Sequence, residues 1–457
     1  MPEALLEKYN KPVPRYTSYP TANNFTDIIT ADEYLGMVAL SNKRNPENIA
    51  FYFHIPFCKK ICYYCGCNSC RLQSDNEHEN YHKALKKEIR MVSGMIDKKR
   101  TLTQVHFGGG TPNAVPLSYL AEIIDLVSEE FNLAADAEIA VECNPALLGR
   151  EEADKLKEAG FNRFSLGIQD FNEEVLKLVN RDPSLLPVNE IIDYIKRGDD
   201  KIAVNLDFIY GLPGQTAASF EKTVEEAALI RPDRLVTFSY AHVPWLKKNQ
   251  SILEKYGLPA PREKVQMFLA AYKILKESNY MPVGLDHYVL PEDELYVALQ
   301  NKILHRNFQG YCTRRTTGQV YAFGVTAISQ LEPGYFQNTK SIKDYIKNID
   351  RSRLPVEKGR ILTGEEKIIR EVISQLMCNK YINWDMISKI MYTEPSVIRD
   401  SLRIDKNALD GFADDGLLEY DKDYIRVTET GSMFIRNIAA SLDPDYKAEK
   451  NKYSKSV

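Results

Sequence analysis

The sequence predicts an α/β fold: a partial (β/α)6 barrel with an N-terminal arm and a mostly helical C-terminal domain. Three observations predict it. Between residues 48 and 280, six short apolar runs alternate with longer amphipathic ones, the rhythm of strand–helix units around a parallel sheet. Each apolar run ends in glycine or polar residues, as barrel enzymes build a site at the carboxyl ends of their strands. Beyond about 350 the strand–helix rhythm stops. Periodicity alone also fits a doubly wound sheet, but that fold would gather such chemistry at one crevice.

With 457 residues the chain can bury a large core, enough for two domains plus extensions. The expected divisions are an arm at 1–45, the barrel with a site extension at 46–350, and the helical domain at 351–457. The chain is 44% hydrophobic and 27% charged, an ordinary globular profile. A net charge of -4 argues against a nucleic-acid binder. The first residues carry early acids and no apolar core, so no export signal is expected. No apolar run approaches a membrane span. These absences predict a cytoplasmic protein, where clustered cysteines are ligands rather than disulfides.

The elements follow in order. Prolines at 12, 14 and 20 break any helix in the arm, and the Tyr- and hydroxyl-rich stretch 14–21 reads as a docked segment. A short helix is expected at 32–40. Strands are expected at 49–55, 103–107, 138–142, 163–168, 203–209 and 234–240. Helices are expected at 77–97, 117–130, 150–159, 172–196, 216–229 and 262–277. A seventh strand would end at 284–288. Further on, helices at 364–378 and 384–392, a hairpin around 421–423 and a last helix near 429–441 resemble a winged helix. Residues 361–457 carry 17 acids against 14 Lys plus Arg, a poor balance for gripping DNA, so this region reads as a packing domain.

The first strand runs into Cys58-Lys-Lys-Ile-Cys62-Tyr-Tyr-Cys65-Gly-Cys67-Asn-Ser-Cys70, five of the eight cysteines. Zinc prefers paired cysteines with a second pair at a distance, which this loop lacks. Three thiolates from one loop match a [4Fe–4S] cube with one open iron, which an amine and a carboxylate can chelate. Zinc and a structural cysteine knot are the alternatives. Cys58, Cys62 and Cys65 are the expected ligands, and Cys67 and Cys70 are not. Tyr52 and His54 share a strand face beside the loop.

The second strand ends in Gly108-Gly109-Gly110-Thr111-Pro112. Consecutive glycines let a ligand approach the backbone and offer it N–H groups. The spacing is neither a dinucleotide-binding nor a Walker fingerprint. Glu142 and Asp207 end two further strands, where ionised carboxylates can accept from ribose hydroxyls. Gln169 suits an amide, adenine or carboxylate partner. Arg181 doubles as a helix-end cation.

Together these residues resemble the radical S-adenosylmethionine (SAM) enzymes. Across nearly the full length the chain resembles the oxygen-independent coproporphyrinogen III oxidase (dehydrogenase) family. The markers are Pro-Arg-Tyr-Thr-Ser-Tyr-Pro-Thr at 14–21, His-Ile-Pro-Phe-Cys at 54–58, Cys-Tyr-Tyr-Cys-Gly-Cys at 62–67 and Gly-Gly-Gly-Thr-Pro at 108–112. Gly-Ile-Gln-Asp-Phe-Asn at 167–172, Asp-Phe-Ile-Tyr-Gly-Leu-Pro at 207–213, Tyr-Ala-His-Val-Pro at 240–244 and His-Arg-Asn-Phe-Gln-Gly-Tyr at 305–311 complete the set. The 14–21 and 305–311 segments are the most selective. Tyr64 replaces a common phenylalanine and Asn144 a frequent aspartate, while Cys70 and Cys312 are additions.

The resemblance implies a [4Fe–4S] cluster on Cys58, Cys62 and Cys65 and two SAM molecules in one site. One SAM would lie near Tyr52, Gly109, Glu142 and Ile328. The second would lie near Tyr64, Gly110, Thr111, Gln169, Arg181, Asp207 and Ala241. The implied reaction turns two propionates of coproporphyrinogen III into vinyl groups through a 5′-deoxyadenosyl radical, giving protoporphyrinogen IX and two CO2. No side-chain acid or base is demanded, so no catalytic side chain is assigned. Arg15, Arg306 and the Arg314-Arg315 pair are candidates for holding the substrate's carboxylates. A flavodoxin or ferredoxin would supply electrons, and the chain would act as a monomer. A haem chaperone, an anaerobic haem-modifying methyltransferase and a ferredoxin-like carrier are the competing readings; the first would lack segments 14–21 and 305–311.

Overall fold

The computed structural model describes residues 3–44, 46–72, 74–199, 201–313 and 319–447. The six expected strands are β1 (Ile49–Ile55), β2 (Thr101–Gly109), β3 (Asn132–Cys143), β4 (Arg163–Gln169), β5 (Ala203–Tyr210) and β6 (Arg234–Ser239). They pair side by side in chain order, all parallel. The sheet does not close on itself. Past β6 it gains a hairpin, β7 (Met281–Val283) and β8 (His287–Val289), with β8 antiparallel to β6. The expected seventh strand is therefore two short ones, because Gly284 turns the chain at φ +70°. Past β1 lie β9 (Val320–Phe323), parallel to it, then β10 (Ile328–Leu331), β11 (Gly334–Asn338) and β12 (Val356–Ile361), each antiparallel to its neighbour. The result is a partial (β/α)6 barrel extended at both edges.

Helices α1 (Asp75–Ser93), α2 (Leu117–Glu130), α3 (Arg150–Glu158), α4 (Glu173–Leu178), α5 (Val188–Lys196), α6 (Ala217–Ile230) and α7 (Pro261–Glu277) cover the outer face. The single helix expected over 172–196 is two. Asn172 caps α4 through its side chain, but Pro183 and Pro187 lack the N–H a continuous helix would use, and α5 starts only after Pro187.

Strand alternation separates the two faces. In β4 and β5, Phe164, Leu166, Ile168, Val204, Leu206 and Phe208 are buried in the main core, and Ser165, Gly167, Gln169, Asn205 and Asp207 take the opposite parity. Polar side chains fill the lumen in two tiers. In the lower tier Gln104 and Arg163 both donate to Glu138, and Arg163 also reaches Asn205 at 3.1 Å. Burial alone would raise the Glu138 carboxyl, but Arg163 and Arg234 beside it outweigh that and hold it at about 2. This closed network plugs the barrel floor. The upper tier, His106 with Glu142 and Ser165 with Asp207, opens on the site.

A second core forms around the helix Gly364–Asn379. It includes the helix Trp384–Met391 and the expected hairpin, Leu418–Tyr420 with Tyr424–Val427, which gains a third strand, Tyr381–Asn383. The last helix is interrupted, as Glu429–Ser432 and Ile435–Leu442. The arm packs into this core through Tyr9, Val13, Tyr16 and Tyr19. Arg436 donates to the Val13 and Pro14 carbonyls, and the Tyr16 hydroxyl to Asp443 at 2.9 Å. Among the described residues no helix is long and apolar enough to cross a membrane.

Candidate active site at the mouth of the barrel

The cysteine loop leaves β1 and is closed at its base. Phe57–Cys58 pairs in parallel with Cys70–Arg71. The Cys70 N–H donates to the Pro56 carbonyl and the Leu72 N–H to the Cys58 carbonyl, each at 2.9 Å. Cys70, unexplained by sequence, thus sits in the closing strand and packs on the barrel core.

Each of the three expected ligand sulfurs has its own polar partner. The Thr111 hydroxyl donates to Cys58 Sγ at 3.3 Å, and Arg181 Nη1 approaches Cys62 Sγ at 3.6 Å. Cys65 Sγ lies 3.8 Å from Ser69 Oγ, and hydrogen bonding with Cys67, helped by Ser69, lowers Cys65 to about 6 although burial opposes it. Cys67 thereby gains a place beside Cys65. Three soft sulfurs on one pinned loop, each beside a polar partner, fit an iron–sulfur cluster with three protein ligands. Among the described residues no three His, Cys, Asp or Glu side chains converge on a single-ion site.

The glycine run behaves differently from expectation. Its N–H groups are spent on the protein: Gly109 donates to Glu142, Gly110 to the Ile55 carbonyl and Thr111 to the Phe57 carbonyl. What the glycines supply is room. A Cβ on Gly108 would lie 2.7 Å from the Glu142 carboxylate, one on Gly109 2.7 Å from the His54 ring, and one on Gly110 2.7 Å from Pro56.

Tyr52, Glu142 and Ile328 line one 250 Å³ cavity with His54, Phe308 and Gln309. His54 Nε2 lies 3.0 Å from the Asn68 carbonyl, which can only accept. The ring proton is therefore on Nε2, and Nδ1 accepts from the Tyr52 hydroxyl at 3.1 Å. Burial lowers the His54 pKa and keeps it neutral. Burial would raise Glu142, but His106 at 3.0 Å and the Gly109 N–H outweigh it and hold the carboxyl below its usual range. Phe308 and Gln309 come from the 305–311 segment, a short hairpin whose tip is fastened by Asn307 accepting from the Gln309 and Gly310 N–H groups.

Around the corner, Arg181 donates to the Gly167 carbonyl and lies within hydrogen-bond reach of Tyr64. Its Nε and the Gln169 Oε1 are buried without a partner, and Gln169 holds a left-handed φ of 72°. Such orphaned groups are costly and favour a polar ligand. Burial pushes Asp207 up to about 7, with Ser165 Oγ donating to it at 3.0 Å. The neighbouring Asp170 is structural: it accepts from Gln215 and Thr223, each at 2.7 Å.

Ala241 stands apart from the Tyr52–Glu142 cavity. It lines a larger, 320 Å³ cavity between β5, β6, α7, the β7–β8 hairpin and the second core. Sequence reasoning missed most of this wall. Lys264, Lys380 and Arg436 line it with Arg15, against the carboxylates Asp286 and Glu429. Gly211 makes the slot for Lys264: a Cβ there would meet the lysine stem at 2.6 Å, whose Nζ donates to the Tyr240 carbonyl at 2.9 Å. Glycine at the end of a strand motif was the available signal. Arg15 pairs with Asp286. Arg306 lies outside this cavity, stacked 4.6 Å over Tyr311 with Nε and Nη1 unpartnered. Arg314 and Arg315 lie outside the described residues. Tyr240 links the two regions, lining the cavity and packing with Tyr63 and Tyr64 of the cysteine loop.

Residues 52–227 match the model of the radical SAM superfamily. The chain is 38% identical to the oxygen-independent coproporphyrinogen III oxidase of a Synechocystis strain, over 99% of this chain and 97% of that protein. It is 37% identical to the enzyme of the same name from Escherichia coli K12, over 99% and 98%. The solved structure of coproporphyrinogen III oxidase from Escherichia coli, described as a radical SAM enzyme, superposes with a TM-score of 0.87 at 35% identity, covering 97% of this chain and 98% of that one. With the thiol loop, the glycine cradle and the strand-end acids in place, the chain belongs to the oxygen-independent coproporphyrinogen III oxidase family of the radical SAM superfamily.

Proposed function

We propose that this chain oxidatively decarboxylates two propionates of coproporphyrinogen III to vinyl groups, giving protoporphyrinogen IX without using oxygen. The observation that carries the reading is the 320 Å³ cavity beside the cysteine loop, lined by four cations, Arg15, Lys264, Lys380 and Arg436, against two carboxylates. Glu429 is already engaged by Lys276 and Tyr272, and burial lowers His287 to about 4, so that it stays neutral. A substrate with four carboxylates suits that balance.

A [4Fe–4S] cluster held by Cys58, Cys62 and Cys65 would supply the electron for reductive cleavage of SAM. For each propionate the chemistry so supplied would remove one hydrogen atom, one CO2 and one electron, the electron passing to a one-electron acceptor, and leave a vinyl group. The protein's share is to position and to exclude water. Tyr52, Gly109, Glu142 and Ile328 would hold one SAM, Glu142 accepting from its ribose hydroxyls. Tyr64, Gly110, Thr111, Gln169, Arg181, Asp207 and Ala241 would hold a second; the orphaned Gln169 Oε1 and Arg181 Nε support a polar ligand there. The reading also takes the chain as a cytoplasmic monomer reduced by a flavodoxin or ferredoxin.

The test is anaerobic incubation of cluster-reconstituted protein with SAM, a reductant and coproporphyrinogen III. Tricarboxylic and then dicarboxylic porphyrinogens are expected. SAM cleavage without either product would sink the reading.

A further inference from the structure

We infer that the face built by the cysteine loop and the segment 245–248 is the docking site of an acidic, low-potential one-electron carrier protein. The inference rests on the reading that the loop holds a cluster. Two stretches distant in sequence meet there. Lys247 Nζ donates to the Cys67 carbonyl at 2.8 Å. Asn249 Nδ2 donates to the Cys62 and Tyr63 carbonyls at 3.3 and 3.0 Å, and Gln250 Nε2 to the Tyr64 carbonyl at 2.8 Å.

Residues 56–72 and 243–253 hold Lys59, Lys60, Arg71, Lys247 and Lys248 and not one Asp or Glu. In a chain with a net charge of -4, these two joined stretches are locally positive, bordered by Asp182 and Glu254. Lys60 reaches Asp182 at 2.8 Å at the patch edge, and both remain half exposed. Lys59 and Lys248 are exposed. Directly before Lys247 and Lys248 in the chain, Trp245 is 56% and Leu246 72% exposed. Trp245 also contributes to the lip of the 320 Å³ cavity. Apolar side chains, one of them aromatic, beside a charged rim are the anatomy of a protein-docking surface.

Charge selects the partner, since the patch attracts an acidic surface and repels a basic one. Position selects its chemistry. The docking segment is hydrogen-bonded to the backbone of residues 62–64 and 67, so a redox group at the carrier's surface is brought against the loop that carries the thiols. One electron leaves the carrier, which is oxidised by one, and the cluster is reduced by one. No bond forms or breaks between the partners.

The test compares the wild-type chain with a Lys59→Glu/Lys248→Glu double variant. With cluster-free protein and flavodoxin as the probe, flavin fluorescence reads the affinity directly. Wild-type affinity is expected to fall with added salt, and the variant to bind about tenfold more weakly at low ionic strength. With reconstituted protein, the flavodoxin-driven rate falls while the dithionite-driven conversion of coproporphyrinogen III is unchanged. Unchanged flavodoxin affinity would overturn the inference. So would an equal loss with dithionite, which would assign the patch to the substrate or the fold. The binding arm uses no substrate, so a failure of the proposed reaction is told apart from a failure of docking.

Discussion

The Glu88 carboxylate accepts the Gly324 N–H at 2.7 Å, joining α1 to the turn that leads into β10 and Ile328. Tyr345 Oη and Asn338 Nδ2 donate to the same carboxylate at 2.6 and 2.7 Å. Despite three donors, burial pushes Glu88 up to about 7 from its ordinary 4.5. In that window the folded chain keeps a proton that the unfolded chain has lost, so stability falls as pH rises through it, by on the order of 3 kcal/mol. Glu88→Gln removes this slope. Melting temperatures at about pH 5 and about pH 8 should therefore differ more for the wild type than for the variant.

Asp207 titrates near the same pH for the same leading reason, burial, which the Glu142 charge reinforces and the Ser165 hydroxyl opposes. If its carboxylate accepts from ribose hydroxyls, binding requires the proton to leave. SAM affinity should then weaken as pH falls through about 7, and Asp207→Asn should flatten that dependence while weakening binding at high pH. Equilibrium binding of SAM across pH reads both effects.

Arg181→Met deletes the orphaned Nε proposed to meet SAM, along with the donors to the Gly167 carbonyl and Cys62 Sγ. Hydrogen bonds to charged groups contribute about 1.5–3 kcal/mol, so SAM affinity should drop roughly ten- to a hundredfold. Arg181→Lys should recover little, because a point charge cannot span two acceptors set by a planar fork.

Gly109 holds φ +117° with the His54 ring against its open side. Gly109→Ala should cost about 1–3 kcal/mol of stability and displace His54. The readouts are a lower melting temperature and weaker SAM binding, with the iron–sulfur absorption retained.

Cys67→Ala should keep the cluster, whereas Cys62→Ala should lose its absorption. The Cys67 variant nevertheless removes the hydrogen-bonding partner of Cys65. Its cluster should have a lower midpoint potential, since hydrogen bonds to the sulfurs raise it. Redox titration of the reconstituted variant checks the direction.

The six parallel strands were legible because alternation and strand-end chemistry are local. The break after α4 was also written locally, in Pro183 and Pro187, but an amphipathic pattern on both sides masked it. The cation wall was not legible: Lys264 faces the cavity only because Gly211 leaves it a slot, and Lys380 and Arg436 arrive from a separate core. His106 had a readable signal, sharing parity with Gln104 on β2. The Cys65–Cys67 contact had none, because loop geometry set it. Segment 305–311 was recognisable as selective, yet only the folded chain shows Phe308 and Gln309 at the Tyr52–Glu142 cavity.

The parallel bridge between Phe57 and Cys70 bears on repair. The base of the thiol loop is fastened by backbone bonds to Pro56 and Cys58, beside those of the glycine run to Ile55 and Phe57, so the protein itself holds its shape. Oxygen that strips the inorganic core would leave the mould standing. Ferrous iron and sulfide could then rebuild what was lost on the same polypeptide, without unfolding and resynthesis.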